Sequence, residues 1–241
     1  AILRAVKKCD MLISGGGSLL QDVTSSKSLH YYLSIIRCAE FFHKKVFIYS
    51  QGIGPIDRPG NRRAAAAALK RADGIVVRDE RSAALLEEIG IARDKVVITA
   101  DPVIRMKKPD GDVGAEILRK AGVSLDGRLT VGWAIRERDT DSRFVKELLR
   151  SIQMMKDKYN AQSVLIPFHY EEDGEVCRHI AAQLPDDTAV CLNEKYLSED
   201  MLSIIGNMDL LVGVRLHSLI YAAIMGVPLI GISYDPKCTA F

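Results

Sequence analysis

The chain has 241 residues, 48% hydrophobic and 27% charged, which suits one large or two small soluble α/β domains. A net charge of +2 with no long basic block argues against nucleic acid as a partner. Five dispersed cysteines without a CxxC pair fit reduced thiols in a cytoplasm better than a disulfide framework, and no His/Cys cluster has metal-site spacing.

In chain order, 11–13 reads as a short strand running into Ser14-Gly15-Gly16-Gly17-Ser18. Three glycines after a strand permit a tight turn and close backbone approach to a ligand, but the spacing is neither the dinucleotide fingerprint nor a P-loop. Gln21 and Asp22 follow on that loop. Residues 28–45 have the period of an amphipathic helix, 46–50 of a strand, and Gln51-Gly52-Ile53-Gly54-Pro55 puts glycines after a strand end again. A helix is predicted over 59–72, with Pro near its start and five consecutive alanines. Next come a strand at 74–77 closed by Arg78-Asp79, a helix at 80–89 stopped by Gly90, and a strand at 96–100 ending in Asp101-Pro102. Arg78 with Asp79 reads as a local ion pair fixing a turn. Asp101 is the better candidate for a site.

The polar stretch 105–113, with Pro and Gly, reads as a linker, and a short helix is predicted over 114–122. A second series then runs: strand 129–135 with Arg136 at its end, helix 142–159, strand 163–167, exit loop 168–173, helix 174–184, strand 188–192 and helix 198–206. Trp133 reads as core, and His169 stands at a strand end. In the last stretch a buried strand at 209–214 leads straight into Arg215-Leu216-His217, a short helix follows at 218–225, and a second buried strand lies at 229–234. Asp235 and Lys237 close that strand. The longest apolar run, 219–232, is too short for a membrane span and is broken by Gly226-Val227-Pro228. No signal peptide is visible, and both ends read as interior to a longer chain.

This alternation predicts an α/β fold of two Rossmann-like domains with parallel sheets: 1–104, then a linker region with a short helix at 105–122, then 123–241. The glycine loops, Arg78, Asp101, Arg136, His169, Arg215–His217 and Lys237 all follow predicted strands. Open α/β sheets bind ligands outside the carboxyl ends of their strands, so two facing domains would bring these rims to one cleft. A helix N-terminus beside Arg215 and His217 favours an anion.

The pieces SGGGSLLQD at 14–22, QGIGP at 51–55, VRDERS at 77–82, ADP at 100–102, the Arg136 strand end and VRLHSLIYAAIMGVPLIGISYDPK at 214–237 together resemble the polysaccharide pyruvyl transferase family, the CsaB-like enzymes. The match runs in order along nearly the whole chain. The family's opening Gly/Asn-rich segment and final helical region have no counterpart here. The resemblance implies a glycosyltransferase B-like fold with the site between the domains. It implies phosphoenolpyruvate as donor, and as acceptor a sugar of a cell-wall glycan or exopolysaccharide, lipid-linked and N-acetylmannosamine-containing in the cell-wall branch. The product would be a pyruvate ketal, with phosphate released, on a polymer that anchors surface-layer proteins. No cofactor or metal is implied. The enzyme would be cytoplasmic, drawn to the inner face of the plasma membrane by its acceptor.

The resemblance also assigns roles. Arg136 and Arg215 fall on the phosphate-binding arginines, with Leu216 offering backbone contact and Lys237 a third cation. His217 falls on the essential histidine, a catalytic acid beside Arg215. Gly16, Gly17, Gln21, Asp22, Gln51 and Asp101 would face the acceptor, with Asp22 or Asp101 as partner base. Two rivals remain: a nucleotide-sugar glycosyltransferase or epimerase on the same fold, and a non-catalytic glycan or anion sensor. The helix after His217 carries no carboxylate to hold a ribose, which weighs against a nucleotide.

Overall fold

The computed structural model describes residues 2–136 and 142–233. It divides into two compact units, one reaching Pro102 and the other starting at Val103. In chain order the first unit holds α1 (Ile2–Lys8), β1 (Met11–Gly15), α2 (Ser26–Phe41), β2 (Lys45–Gln51), α3 (Pro59–Leu69), β3 (Gly74–Val77), α4 (Glu80–Glu88) and β4 (Val96–Ile98). The second holds α5 (Val113–Lys120), β5 (Thr130–Ala134), α6 (Arg143–Tyr159), β6 (Gln162–Leu165), α7 (Tyr170–Ala181), β7 (Ala189–Cys191), α8 (Ser198–Gly206), β8 (Leu210–Gly213), α9 (Leu216–Met225) and β9 (Leu229–Gly231). This is the predicted α/β alternation, with both sheets parallel throughout.

The first sheet has the order β1-β2-β3-β4. Each crossover steps the same way, so right-handed connections put every crossover helix on one face. Leu29, Leu33 and Ile36 of α2, Ala65, Ala68 and Leu69 of α3, and Ala83 and Leu86 of α4 pack there against Val46, Ile48, Ile75 and Val77. On the other face Ile13, Tyr49 and Val97 are exposed. A sheet built in sequence order covers only one side with its own crossovers.

The second sheet has the order β7-β6-β5-β8-β9. The chain works outward from β5 to β7, then returns past β5 to β8. That reversal puts α6 and α7 on one face and α8 and α9 on the other. The central strand shows it residue by residue: Val131, Trp133 and Ile135 join the α6/α7 core, whereas Ala134 joins the α8/α9 core. The Trp133 indole N–H donates to Ser163 Oγ at 2.9 Å, a buried core contact. Residues 103–122 belong to this unit, and α5 lies tight on α8. Gly114 N–H donates to Ser203 Oγ at 2.9 Å, and an added Cβ at Gly114 would overlap the Ser203 carbonyl.

α7 starts at Tyr170, four residues before the predicted helix. Glu171, Glu172 and Asp173, expected in an exit loop, form its first turn, where carboxylates suit the exposed N–H groups and the positive end of the dipole. The predicted helix starting at Ser142 begins at Arg143, with Ser142 as its N-cap accepting from Val145 N–H.

Candidate functional site

The reversal of strand order in the second unit falls between β5 and β8, and such a switch point is where an open parallel sheet leaves a crevice at its carboxyl edge. Ala134 pairs with Gly213, and Val214 N–H continues the ladder to Ala134 O at 2.8 Å. Arg136 and Arg215 each stand two residues beyond that last pair. They therefore leave neighbouring parallel strands level with each other, on the same edge. Arg215 is extended backbone at the N-cap of α9, and Leu216 and His217 open the helix, where the first amides have no intrahelical partner. His217 is exposed rather than sealed in the core. On the other side of β5, β6 delivers His169 as the N-cap of α7. The Phe168 and Tyr221 rings meet edge-on at 5.3 Å, so the β6 exit is packed against α9.

The charges at this edge form one network. Arg215 presents its side-on edge to Asp173, with Nε to Oδ2 at 3.2 Å and Nη2 to Oδ1 at 2.6 Å, and donates from Nη2 to Glu172 Oε2 at 3.0 Å. Asp173 is 1% exposed and also accepts the His169 N–H at 2.8 Å. Burial works against the charge on Arg215, but its bonds to Asp173 and Glu172 outweigh that and raise its pKa. The hydrogen bond from Arg215, opposed by partial desolvation and helped by the charges of His169, Arg215 and Arg136, holds Glu172 below the usual carboxylate range. Sequence reading missed both carboxylates because it placed them in a loop. The legible signal was three acidic residues in a row just before a helical period. Lys237 and Asp235 lie outside the described residues.

The first unit supplies the other predicted residues. Gly16 and Gly17 take φ of +77° and +59°, a left-handed path that glycine follows without strain. Gln51 is fully buried; its Nε2 donates to Ser14 Oγ at 3.0 Å and its carbonyl oxygen has no hydrogen-bond partner. Gln21, expected to face an acceptor, folds back on its own turn, bonding Thr24 through both side-chain atoms at 2.9 and 3.0 Å. Asp22, expected to face an acceptor or act as a base, is instead 7% exposed. Its oxygens accept from the Asp57 and Arg58 N–H groups at 3.0 and 3.2 Å and from Asn61 Nδ2 at 2.8 Å. That carboxylate ties the loop before α3 to the glycine-rich loop. Asp101 accepts from Arg78 Nη1 at 2.7 Å, and Arg78 also donates to Ser18 Oγ at 3.0 Å. The predicted pairing of Arg78 with Asp79 is the longer contact, 3.8 Å, because Asp79 caps α4 through Ser82 N–H at 2.7 Å. A parallel neighbour strand brings Asp101 closer than the next residue in the chain.

The sequence profile of the polysaccharide pyruvyl transferase family matches residues 1–236. The chain belongs to that family. Among curated proteins, the amylovoran biosynthesis protein AmsJ of Erwinia amylovora is 22% identical over 248 residues, which cover 96% of this chain and 58% of AmsJ. The chain thus spans little more than half of that relative. Solved structures share the fold. A UDP-N-acetylglucosamine 2-epimerase from Methanocaldococcus jannaschii superposes with a TM-score of 0.66 at 14% identity, over 97% of this chain and 66% of that one. A protein described as such an epimerase from Listeria monocytogenes gives 0.65 at 15%, over 98% and 62%. HepE from Anabaena, solved with UDP and glucose, gives 0.59 at 12%, over 95% and 61%. This family member therefore has the glycosyltransferase B-like architecture of nucleotide-sugar enzymes. Among the described residues no helix is long and apolar enough to cross a membrane, and no group of three or more His, Cys, Asp or Glu is placed to hold a metal.

Proposed function

We propose that the protein transfers pyruvate from phosphoenolpyruvate to two hydroxyls of a sugar in a polysaccharide or its lipid-linked precursor, forming a ketal and releasing phosphate. The observation that carries this reading is the level placement of Arg136 and Arg215 at the switch point, with His217 in the adjoining first helical turn. A donor with a phosphate and a carboxylate needs more than one fixed cation, and guanidinium meets both groups through paired N–H bonds. Leu216 N–H and the start of α9 add donors for the same anion.

In this reading His217 delivers a proton to the terminal carbon of the enol, and one acceptor hydroxyl adds to the central carbon and loses its proton. The second hydroxyl then displaces the phosphate from that carbon, closing the ketal, and its proton leaves with the phosphate. Arg136 and Arg215 hold the phosphate through both steps, and Lys237 is proposed as a further cation. Gly16 and Gly17 are proposed as acceptor-side residues; Gln51, expected to face the acceptor, is fully buried and holds Ser14 instead. The bonds made by Asp22 and Asp101 fit loop positioning better than base chemistry. The likeness to AmsJ, a protein of amylovoran biosynthesis, supports a polysaccharide acceptor. An acceptor carried on lipid would work at the inner face of the plasma membrane.

The test uses the full-length protein, phosphoenolpyruvate and a glycan acceptor. Acceptor-dependent phosphate release is expected; its absence would favour a non-catalytic anion or glycan sensor. His217→Ala is expected to abolish turnover and leave phosphoenolpyruvate binding largely intact. Arg215→Lys, which keeps the charge and loses the fork, is expected to weaken donor binding about tenfold. The structural neighbours include a UDP-N-acetylglucosamine 2-epimerase and a protein solved with UDP and glucose, so uridine diphosphate sugars form the counter-arm. Tight binding of these with none of phosphoenolpyruvate would replace the donor assignment.

A further inference from the structure

Asp173 and Glu172 are consecutive, and both bond Arg215, yet they are built differently. Asp173 is 1% exposed, takes the Nε/Nη2 edge side-on and is fixed by the His169 N–H. Nothing entering from solvent can replace it without unmaking the start of α7. The Glu172 side chain is 43% exposed and makes one contact to Arg215, through the Nη2 atom that Asp173 also uses. The Nη2 hydrogen left over after the side-on pair points to the end-on edge shared with Nη1. That is the edge a phosphate or carboxylate needs for a two-bond grip. Glu172 therefore sits where an incoming anion would dock, on a side chain free to swing away.

Resting on the donor reading above, we propose that Glu172 is the displaceable counter-ion of Arg215, yielding the end-on edge to the donor's anionic group and returning to it to expel inorganic phosphate after transfer. The physical case is one of unequal partners. The buried carboxylate orients the guanidinium in every state. The exposed one neutralises the remaining donor edge at little cost to break, as expected for a partly solvated ion pair. It then competes with any anion that lingers. Without such a competitor, a fixed cation pair would keep hold of the phosphate product, which retains one of the donor's two anionic groups.

The experiment is calorimetric titration of the full-length protein with inorganic phosphate and, separately, phosphoenolpyruvate, for wild type, Glu172→Gln and Glu172→Ala. Thermal unfolding of each variant serves as the control for fold. Both variants are expected to bind phosphate about two- to fivefold tighter than wild type, and under turnover to be inhibited by phosphate at correspondingly lower concentration. Phosphate binding gained by the variants and undetectable in wild type would support the proposal equally. Unchanged or weaker phosphate binding in both variants, with wild type still binding phosphoenolpyruvate, would overturn the counter-ion role and leave the donor site standing. If no form binds either compound, the donor reading falls and this inference with it.

Discussion

At the residue scale the chemistry turns on which carboxylates are spoken for. Asp173 and Asp22 are both nearly inaccessible, and each holds a neighbour in place rather than facing solvent. Asp173→Asn removes the charge that balances a half-buried guanidinium. It is expected to cost about 3 kcal/mol in denaturant unfolding and to weaken phosphoenolpyruvate binding by loosening Arg215. For Asp22, burial alone would raise the carboxyl, but the bonds from Asn61 and the Asp57 and Arg58 amides outweigh it and lower its pKa. A carboxyl lowered in the folded state stabilises fully above its unfolded value of about 3.9, and that stabilisation fades as pH falls through the folded value. Asp22→Asn is thus expected to destabilise by about 1–3 kcal/mol at neutral pH, with the gap from wild type narrowing below about pH 4. Unfolding curves at pH 7 and in acid check both the size and the trend; a gap that grows on acidification would mean that the carboxylate is not the bonded form.

At the element scale, local pattern placed most helices and strands to within a few residues, and the failure at α7 is instructive. Periodicity alone cannot see that Asp173 is buried by an arginine from another strand, so the acidic run looked like solvated loop. The contact of α5 on α8 is likewise invisible in sequence, where Gly114 looked like an ordinary helix-start residue. Because backbone of α8 occupies the space of a Cβ there, Gly114→Ala is expected to force the two helices apart. The cost should be about 1–3 kcal/mol, read as a lowered denaturation midpoint. An unchanged midpoint would mean that the helices slide at no cost.

At the scale of whole sheets, strand order decides what is covered. The second sheet reverses direction and clothes both faces near its centre. A cavity of ≈ 300 Å³ remains beside α6, lined by Trp133, Phe144, Leu148, Met155, Val212 and Ile232. The first sheet does not reverse, and Ile13, Tyr49 and Val97 stand exposed on its bare side. Exposed apolar side chains gathered on one sheet face promote association. The 241-residue chain expressed by itself is expected to self-associate, and Ile13→Lys combined with Val97→Lys to reduce that association in light scattering. Scattering that is the same with and without the pair of lysines would acquit this face.

Sequence by itself determined the alternation of strands and helices, the glycine loops after strands, and the ordered motifs that mark the family. Each of these is written in neighbouring residues or in a period of two or 3.6, and local sterics and burial enforce them. Only tertiary structure decided strand order, and with it the levelling of Arg136 with Arg215 across a switch point, the choice of Asp101 over Asp79 as the closest partner of Arg78, and the pairing of Arg215 with residues 172 and 173. Those facts depend on which distant strands lie side by side. That is settled by packing of the whole core, and no window of the sequence contains it.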